Sequence, residues 1–299
     1  MKGTNMVEKI RALGIAFEEN LPMSAKTSFK IGGAAELVLF PASAGQLQAC
    51  VKLCGEHGVK PFILGNGSNL LVKDSGLDGV VIATERLQGI SLGGGGLVTC
   101  GAGVKLCELC VFAQSQCLTG LEFAYGIPGS AGGAVYMNAG AYGGEMKNVL
   151  HSVRYAAPDG ALLELPAERL GLGYRRSVLM ENGGVAADLT VRLAPGDPAE
   201  IKARMNAVMQ KRKDKQPLEY PSAGSVFKRP EGHFAGALIE QCGLKGRSVG
   251  GARVSEKHAG FIVNTGGARA ADVRALIALV QTVVERETGV FLEPEIRFV

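Results

Sequence analysis

Apolar side chains recur at helical spacing in several parts of the chain and predict its helices. The first predicted helix runs from Asn5 to Asn20, with Met6, Ile10, Leu13 and Phe17 on one face. The same spacing predicts five later helices, which begin after Ser43, cover Leu106–Cys117, begin at Pro198, cover Ala235–Cys242, and cover Ala271–Thr288.

Short apolar runs between the helices predict strands. They read AELVLFP, PFIL, GVVIAT and LVTCGAG in the first third of the chain, and strands and turns continue from Leu150 to Leu193. This order of elements predicts an α+β protein. The segment APGDP, around Pro195–Pro198, is the best candidate for a boundary between domains.

Composition narrows the class of protein. The 299 residues are 46% hydrophobic, which suffices for two or three domains, and the net charge is only +4. The densest basic run, Lys211–Gln216, is typical of a solvated helix end, and no surface of the nucleic-acid-binding type is predicted. No apolar run reaches the length of about 18 residues that spans a membrane, and no signal peptide precedes the seven cysteines. We therefore expect a reduced, cytoplasmic protein.

Several common signatures are excluded. The chain contains neither G-x-G-x-x-G nor a P-loop. Gly246–Gly250 matches G-x-S-x-G but lacks the strand–turn–helix context of a nucleophile elbow, so a hydrolase is not supported. Cys107 and Cys110 form a C-x-x-C without a second pair or suitably placed histidines, which favours small buried side chains over a zinc site; no metal is expected.

Two glycine-rich segments remain after these exclusions. GNGSNLLV covers Gly65–Val72 directly after a predicted strand, and Ala124–Glu145 contains seven glycines. Successive backbone N–H groups in such loops can hold an anion, and Ser68, Asn69, Ser130 and Asn138 add side-chain donors. The alternative is that the glycines only turn the chain. Two such loops fit best an extended ligand with more than one phosphate, because both can hold one pyrophosphate.

These segments belong to an ordered set of motifs. TSFKIGG, GNGSNLLV, GIPGSAGGAVYMNAGAYGGEM, GYRRS, PSAGSVFKRP, GGARVSEKHAGFIVN and LEPEIRF follow one another from about Leu21 to the end of the chain. Together they resemble the UDP-N-acetylenolpyruvoylglucosamine reductase family, also called UDP-N-acetylmuramate dehydrogenases, of peptidoglycan synthesis. The chain is similar to the shorter class of this family, which lacks an inserted tyrosine-bearing loop. One departure is Lys26, where many members carry histidine.

The resemblance implies a fold of the vanillyl-alcohol oxidase type, in which two α+β subdomains bind FAD and a C-terminal α+β domain binds substrate. The expected domains are residues 1–84 and 85–196 for the two FAD-binding subdomains and residues 197–299 for substrate. In the implied reaction NADPH reduces non-covalently bound FAD, and the enolpyruvyl sugar nucleotide, UDP-N-acetylglucosamine enolpyruvate, then takes up a hydride and a proton. A monomer that binds neither nucleic acid nor membrane is expected.

The resemblance assigns the glycine-rich segments to FAD. The expected cofactor contacts are Gly65, Asn66, Gly67, Ser68, Asn69, Gly126, Ile127, Pro128, Gly129, Ser130, Gly132, Gly133, Asn138, Ala139 and Gly140.

Three further residues match the catalytic positions of the family. Ser225 matches the proton donor, and Arg175 matches the arginine that binds the substrate carboxylate and stabilises the enolate. Glu295 matches the third position, where it is either protonated or orients the serine, the arginine or a water. Arg176 and Glu293 are the neighbouring alternatives.

Three residues are candidates for substrate binding. Lys215 and Lys228 are candidates for the UDP diphosphate, with plain solvent exposure as the alternative, and Tyr174 packs on flavin or substrate or belongs to the core.

Two other functions stay open at this stage. The first is an FAD-dependent alcohol or sugar oxidase on the same scaffold, although such enzymes often tether flavin through a histidine or cysteine that these loops do not offer. The second is a non-enzymatic protein that binds a nucleotide sugar. A colourless purified protein would favour the latter.

Overall fold

The computed structural model describes residues 2–299, and the side-chain surroundings of residues 6–299. Its helices are α1 Lys2–Ala12, α2 Ala44–Glu56, α3 Leu106–Ser115, α4 Ala131–Tyr136, α5 Val178–Asn182, α6 Pro198–Lys215, α7 Ala235–Gln241 and α8 Ala270–Thr288.

The strands alternate irregularly with these helices. They are β1 Ala16–Pro22, β2 Ala34–Phe40, β3 Phe62–Leu64, β4 Leu70–Leu71, β5 Leu77–Ala83, β6 Ile90–Leu92, β7 Leu97–Gly101, β8 Leu118–Thr119, β9 Gly140–Ala141, β10 Gly144–Glu145, β11 Leu150–Ala156, β12 Leu162–Pro166, β13 Val185–Arg192, β14 Ala194–Pro195, β15 Ser222–Ser225, β16 Ser248–Val249, β17 Ala252–Val254, β18 Phe261–Asn264 and β19 Arg297–Phe298.

The first helix is shorter than the sequence pattern predicts. Gly14, at φ +64°, ends it, with the N–H groups of Gly14 and Ile15 bonded to the carbonyls of Arg11 and Ile10. This is a Schellman ending, for which glycine is the favoured residue. The predicted helix 5–20 is therefore wrong in its second half, and Phe17 lies in β1. The later helices and the main strands are confirmed within a few residues, except that α3 ends at Ser115 and leaves Cys117 exposed at φ +56°.

The chain divides into two compact units. Unit 1 comprises residues 1–19, 37–66 and 79–210, and unit 2 comprises residues 20–36, 67–78 and 211–299. Each unit has its own apolar core. The predicted three-part division at residues 84 and 196 stays a prediction.

Unit 1 contains a five-stranded sheet in the order β12-β11-β13-β7-β6, in which each strand is antiparallel to its neighbours. It also contains most of a four-stranded sheet in the order β1-β2-β5-β3. Ser43 precedes helix α2, and its side chain accepts a hydrogen bond from the Gln46 N–H and so caps the helix as predicted. Its buried face carries Leu47, Cys50, Val51 and Cys54.

Unit 2 is built on a four-stranded sheet in the order β15-β18-β17-β16. Helix α8 buries one apolar face in this core, formed by Val273, Leu276, Ile277, Val280 and Val284. The short strands β4 and β19 pair in parallel, so the C-terminal segment lies beside the last residues of the first glycine-rich segment. No helix within residues 2–299 combines the length and the apolar content that crossing a membrane requires.

Candidate active site

The two glycine-rich segments meet in unit 1. The side-chain amide of Asn66 donates a hydrogen bond of 2.6 Å to the carbonyl of Pro128. A Cβ on Gly65 would lie 2.8 Å from the hydroxyl oxygen of Ser130, closer than real contacts allow. The backbone after β3 therefore lies directly against the start of α4, and this contact explains why residue 65 has no side chain.

Helix α4 begins inside the second glycine-rich segment. The Ser130 hydroxyl accepts a hydrogen bond from the Gly133 N–H, and the N–H groups of Ala131 and Gly132 donate to the carbonyls of Val104 and Ala102. A Cβ on Gly132 would lie 2.7 Å from the Cβ of Ala102. Glycine at residue 132 thus lets the first turn of α4 pack on the loop that follows β7.

The end of β7 and the loop after it form a third close approach of backbone, in a segment whose sequence predicts only a strand. A Cβ on Gly101 would lie 2.2 Å from the Leu87 carbonyl oxygen, and one on Gly103 would lie 2.2 Å from that of Thr84. The alternating glycines of LVTCGAG were the signal that this backbone is crowded.

Asn138 is buried, with 1% of its surface exposed, at φ +41°. Its amide nitrogen donates to a Glu145 carboxylate oxygen at 2.8 Å and to the Gly173 carbonyl at 3.0 Å, while its oxygen accepts from the Lys147 N–H at 2.9 Å. Both amide hydrogens are therefore bonded within unit 1.

The segment Gly173–Ser177 forms a tight turn that carries Arg175. Gly173 and Arg176 exchange two backbone hydrogen bonds of 3.2 Å, and Arg175 between them has φ +54°. An L-residue in this conformation costs about 1–2 kcal/mol, and such strain is common at functional sites. The turn is anchored at its far end, where the buried Ser177 hydroxyl donates to the Tyr136 carbonyl at 2.7 Å.

The side chains of this turn differ in their surroundings. The Arg175 guanidinium lies 5.0 Å from the ring centre of Tyr174, and Tyr174 is 56% exposed, so it does not belong to the core. Arg176 is exposed and donates from Nε to Glu181 at 2.7 Å. Arg176 is thus held by a local ion pair with Glu181 on α5.

Unit 1 also contains a cavity of about 460 Å³, within the range of ligand sites. Gly101, Gln88 and Ser43 line it, together with the ion pair between Arg154 and Asp188. None of the residues that line this cavity belongs to the two glycine-rich segments.

In unit 2, the rest of the first glycine-rich segment packs on the chain before β2. A Cβ on Gly67 would lie 2.1 Å from the carbonyl oxygen of Lys26, and the Gly67 carbonyl accepts from the Ser28 N–H. The Asn69 side chain donates a hydrogen bond to the Glu295 carbonyl at 3.2 Å. Ser68, between Gly67 and Asn69, is half-buried. Asn69 and Glu295, both predicted site residues, are therefore neighbours.

Ser225 lies at a β-bulge. Strand β15 pairs with β18 through Ser222↔Val263 and Ser225↔Phe261, so one strand has an extra residue. Gly224, at φ +77°, absorbs the bulge, and its left-handed backbone favours glycine. The result is an exposed Ser225 at the end of a fixed strand, as a proton donor requires.

Glu295 lies beside this bulge, and Glu293 has another partner. The Glu295 N–H donates to the Val226 carbonyl at 2.7 Å, and the Lys228 N–H donates to the Glu293 carbonyl at 2.8 Å. Lys228 and Glu293 also form an ion pair through their side chains, whereas the Glu295 carboxyl belongs to a half-buried residue. Glu293 is thus held by Lys228, and Glu295 is held through its backbone by the residue that follows Ser225.

The loop Ser255–Gly260 flanks Ser225 from the other side. The Val226 N–H donates to the Gly260 carbonyl at 2.9 Å, and the Gly260 N–H donates to Nδ1 of His258 at 3.1 Å. Burial lowers the pKa of His258, and the positive charges of Lys245 and Lys215 lower it further. Lys215 therefore lies close enough to this loop to act on its electrostatics, although its own side chain is exposed.

Ser248 of the G-x-S-x-G match lies in the two-residue strand β16 and is followed by β17, so the elbow context is absent as predicted. Of the C-x-x-C pair, Cys110 is buried, as predicted, whereas Cys107 is only half-buried. Sequence reasoning missed Glu145, Ser177 and the His258–Gly260 contact, all of which act through hydrogen bonds that join distant segments.

Comparisons with known proteins find two family models that match different parts of the chain. Residues 35–166 match a family model described as an FAD binding domain. Residues 216–299 match the model described as UDP-N-acetylenolpyruvoylglucosamine reductase, C-terminal domain.

Full-length relatives extend the match. A protein of Lachnoclostridium phytofermentans named UDP-N-acetylenolpyruvoylglucosamine reductase is 48% identical over 94% of this chain and 92% of its own. The crystal structure of UDP-N-acetylenolpyruvylglucosamine reductase from Thermus caldophilus is 37% identical, with a TM-score of 0.81 over 95% of this chain and 98% of that one. The BBE-like 1 protein of Physcomitrella patens shares the fold alone, at 16% identity and a TM-score of 0.50 over 64% of this chain and 44% of its own.

Proposed function

Because the chain belongs to the UDP-N-acetylenolpyruvoylglucosamine reductase family, we propose that it reduces UDP-N-acetylglucosamine enolpyruvate to UDP-N-acetylmuramate with NADPH, in peptidoglycan synthesis. The chain is an oxidoreductase with an FAD-binding domain, and the predicted fold of the vanillyl-alcohol oxidase type, with a separate C-terminal domain, is confirmed. A cytoplasmic monomer remains part of the proposal.

One observation carries the proposal: the contact between the two glycine-rich segments in unit 1. Gly65 lies against Ser130, and Asn66 is bonded to Pro128. The geometry suits a phosphate-bearing ligand, because two segments whose backbone N–H groups can hold an anion lie against each other.

The residues proposed to hold FAD are Gly65, Asn66, Gly67, Ser68, Asn69, Gly126, Ile127, Pro128, Gly129, Ser130, Gly132, Gly133, Asn138, Ala139 and Gly140. Bound FAD would supply hydride transfer from NADPH to the substrate.

The reaction requires the protein to stabilise a developing negative charge and to supply a proton. When hydride adds to the methylene carbon of the enolpyruvyl group, negative charge develops on the adjacent carbon and spreads into the carboxylate. We propose that Arg175 binds this carboxylate, since a guanidinium can donate two parallel hydrogen bonds and its contribution grows with the developing charge. The strained turn fixes the backbone of Arg175 before substrate arrives, which reduces the cost of ordering it.

The second requirement is a proton donor for the carbon that bears the charge. We propose that Ser225 donates it, because the bulge at Gly224 presents the hydroxyl at an exposed strand end. An alcohol is a weak acid, so it protonates only a strongly basic centre, which an enolate is. Glu295, bonded through its backbone to Val226, is proposed to orient Ser225 or a water, or to act in its protonated form.

The sugar nucleotide also carries a diphosphate. Lys215 and Lys228 remain the candidates for it, with Tyr174 as a packing surface. The carboxylate of Glu293 neutralises Lys228 in the structure, so a diphosphate would have to compete with this ion pair. Lys215 lies near enough to the loop beside Ser225 for its charge to lower the pKa of His258.

Stopped-flow spectroscopy tests the proposal. The purified protein should be yellow, and NADPH should bleach it. Subsequent mixing with the enolpyruvyl sugar nucleotide should restore the colour under anaerobic conditions. The proposal would be contradicted if an alcohol or a sugar bleached the flavin and oxygen restored its colour, while the enolpyruvyl sugar nucleotide did not. A colourless protein would favour plain nucleotide-sugar binding.

A further inference from the structure

We infer that Asn138 and Glu145 form a positioning pair that fixes the turn carrying Arg175. This inference rests on the proposed function, because the turn matters for catalysis only if Arg175 binds the substrate carboxylate. It assigns Asn138 an action on protein backbone, in addition to any contact of its main chain with the cofactor.

The first step is the full use of the Asn138 side chain. Its two amide hydrogens are bonded to the Glu145 carboxylate and the Gly173 carbonyl, and its oxygen accepts from the Lys147 N–H. Only 1% of the surface of Asn138 is exposed. Its side chain therefore connects the second glycine-rich segment to a turn 35 residues later.

The second step is the carbonyl that Asn138 binds. The Gly173 oxygen accepts one hydrogen bond from Asn138 at 3.0 Å and another from the Arg176 N–H at 3.2 Å. The Arg176 bond closes the turn in which Arg175 has φ +54°. Because that conformation is strained, neighbouring contacts must hold it. Asn138 and the Ser177–Tyr136 bond are the side-chain anchors at its two ends.

The third step is the role of Glu145. Its carboxylate accepts from Asn138 and contacts the Lys147 ammonium at 2.6 Å, while its own N–H is bonded to Asn148. The acid therefore faces the nitrogen side of the Asn138 amide. A flipped amide would bring its oxygen against two acceptors, Glu145 and Gly173. Glu145 thereby selects the orientation in which Asn138 donates to Gly173.

Two variants separate this positioning role from a general structural one. Asn138→Asp keeps the acceptor for Lys147 but places a carboxylate against Glu145 and the Gly173 carbonyl. In the double variant Asn138→Asp with Glu145→Gln, the new amide can donate to residue 138 and remove the repulsion. The bond to Gly173 stays lost. The double variant should recover folding stability without recovering the turn.

The first readout is hydrogen–deuterium exchange of a peptide covering residues 170–178. We expect the amide of Arg176 to exchange about tenfold faster in both Asn138 variants, as loss of a buried hydrogen bond predicts. Asn182→Ala is the matched control, since the Asn182 side chain accepts a bond from the Gly184 N–H, beyond the end of the turn. Exchange at the wild-type rate in the double variant would overturn the inference.

The second readout is kinetic. The rate at which substrate reoxidises pre-reduced enzyme should fall about tenfold in both Asn138 variants, and by less than about twofold when Arg175→Ala is already present. An equal loss in both backgrounds would show that Asn138 acts independently of Arg175 and would overturn the inference. If wild-type protein reduces no enolpyruvyl sugar nucleotide, the proposed function is wrong, whereas the exchange result still decides whether Asn138 holds the turn.

Discussion

The amide of Glu295 donates a hydrogen bond of 2.7 Å to the carbonyl of Val226, the residue that follows Ser225. The last segment of the chain is thereby fixed to the end of β15, although 70 positions separate Ser225 from Glu295 in the sequence. Two residues that motif comparison picked out separately are parts of one local arrangement in unit 2.

Replacing Ser225 by alanine should abolish proton donation and leave the flavin site intact. We expect reduction of the bound flavin by NADPH to stay near wild type, while its reoxidation by substrate slows by about 100-fold to 10,000-fold. Stopped-flow absorbance measures both steps. Ser248→Ala is the control, because this exposed serine lies in β16 and its hydroxyl donates to the Gly246 carbonyl. Equal losses in both steps would show that Ser225 positions the site rather than donates a proton.

The two acids near the C-terminus should differ in their effects. Glu295→Gln should slow substrate-driven reoxidation by about tenfold or more, since this side chain is the proposed partner of the proton donor. Glu293→Gln removes only an exposed ion pair with Lys228, which is worth about 1 kcal/mol at most. The same stopped-flow assay compares them, and a larger effect at Glu293 would move the assignment to that residue.

The two adjacent arginines provide a further matched pair. Arg175→Ala should slow reoxidation by substrate by about 100-fold to 1,000-fold, as expected when a group that stabilises developing charge is lost. Arg176→Ala should change it by less than about threefold, because Arg176 is exposed and paired with Glu181. Steady-state kcat and KM for the enolpyruvyl substrate give the same comparison. A dominant effect of Arg176 would contradict the assignment.

The motifs of the proposed site are recognisable in the sequence, but the contacts between them are not. Gly65 and Ser130 are recognisable as parts of glycine-rich loops, but their contact depends on how β3 and α4 pack. The bond from Asn138 to Gly173 joins segments whose spacing carries no periodic signal. The bulge at Gly224 depends on strand register, which a single sequence does not specify. The helix end at Gly14 is different, since glycine after a helical stretch is a stop signal that was present in the sequence, and the predicted helix nevertheless ran past it to Asn20.

Gly65 offers a test of the contact between the two glycine-rich segments. Gly65→Ala places a Cβ 2.8 Å from the Ser130 hydroxyl, so backbone or serine must shift. We expect destabilisation of about 1–3 kcal/mol and loss of bound flavin on purification. Gly94→Ala is the control, since its Cβ would meet nothing within 4 Å. The ratio of flavin to protein absorbance measures the effect, and full flavin retention in Gly65→Ala would contradict the proposed cradle.

His258 predicts how stability changes with pH. Burial lowers its pKa below the ordinary 6.5, and Lys245 and Lys215 act in the same direction while Glu240 opposes them. Below pH 6.5 the unfolded chain therefore binds more protons at this position than the folded protein. It follows that this histidine lowers the free energy of unfolding as the pH falls below about 6.5, and has no such effect at higher pH.

Protonation also changes the hydrogen bond that His258 makes. Nδ1 accepts from the Gly260 N–H, and a proton on Nδ1 would turn this acceptor into a second donor. His258→Gln retains an acceptor without titrating, so it should flatten the dependence of stability between pH 5 and pH 7, roughly the range over which histidine titrates. Urea unfolding of both proteins at several pH values measures this difference. If the variant and the wild type lose stability in parallel as the pH falls, other groups must cause the loss. The hydrogen bonds that connect His258 through Gly260 to Val226 would then not depend on pH in this range.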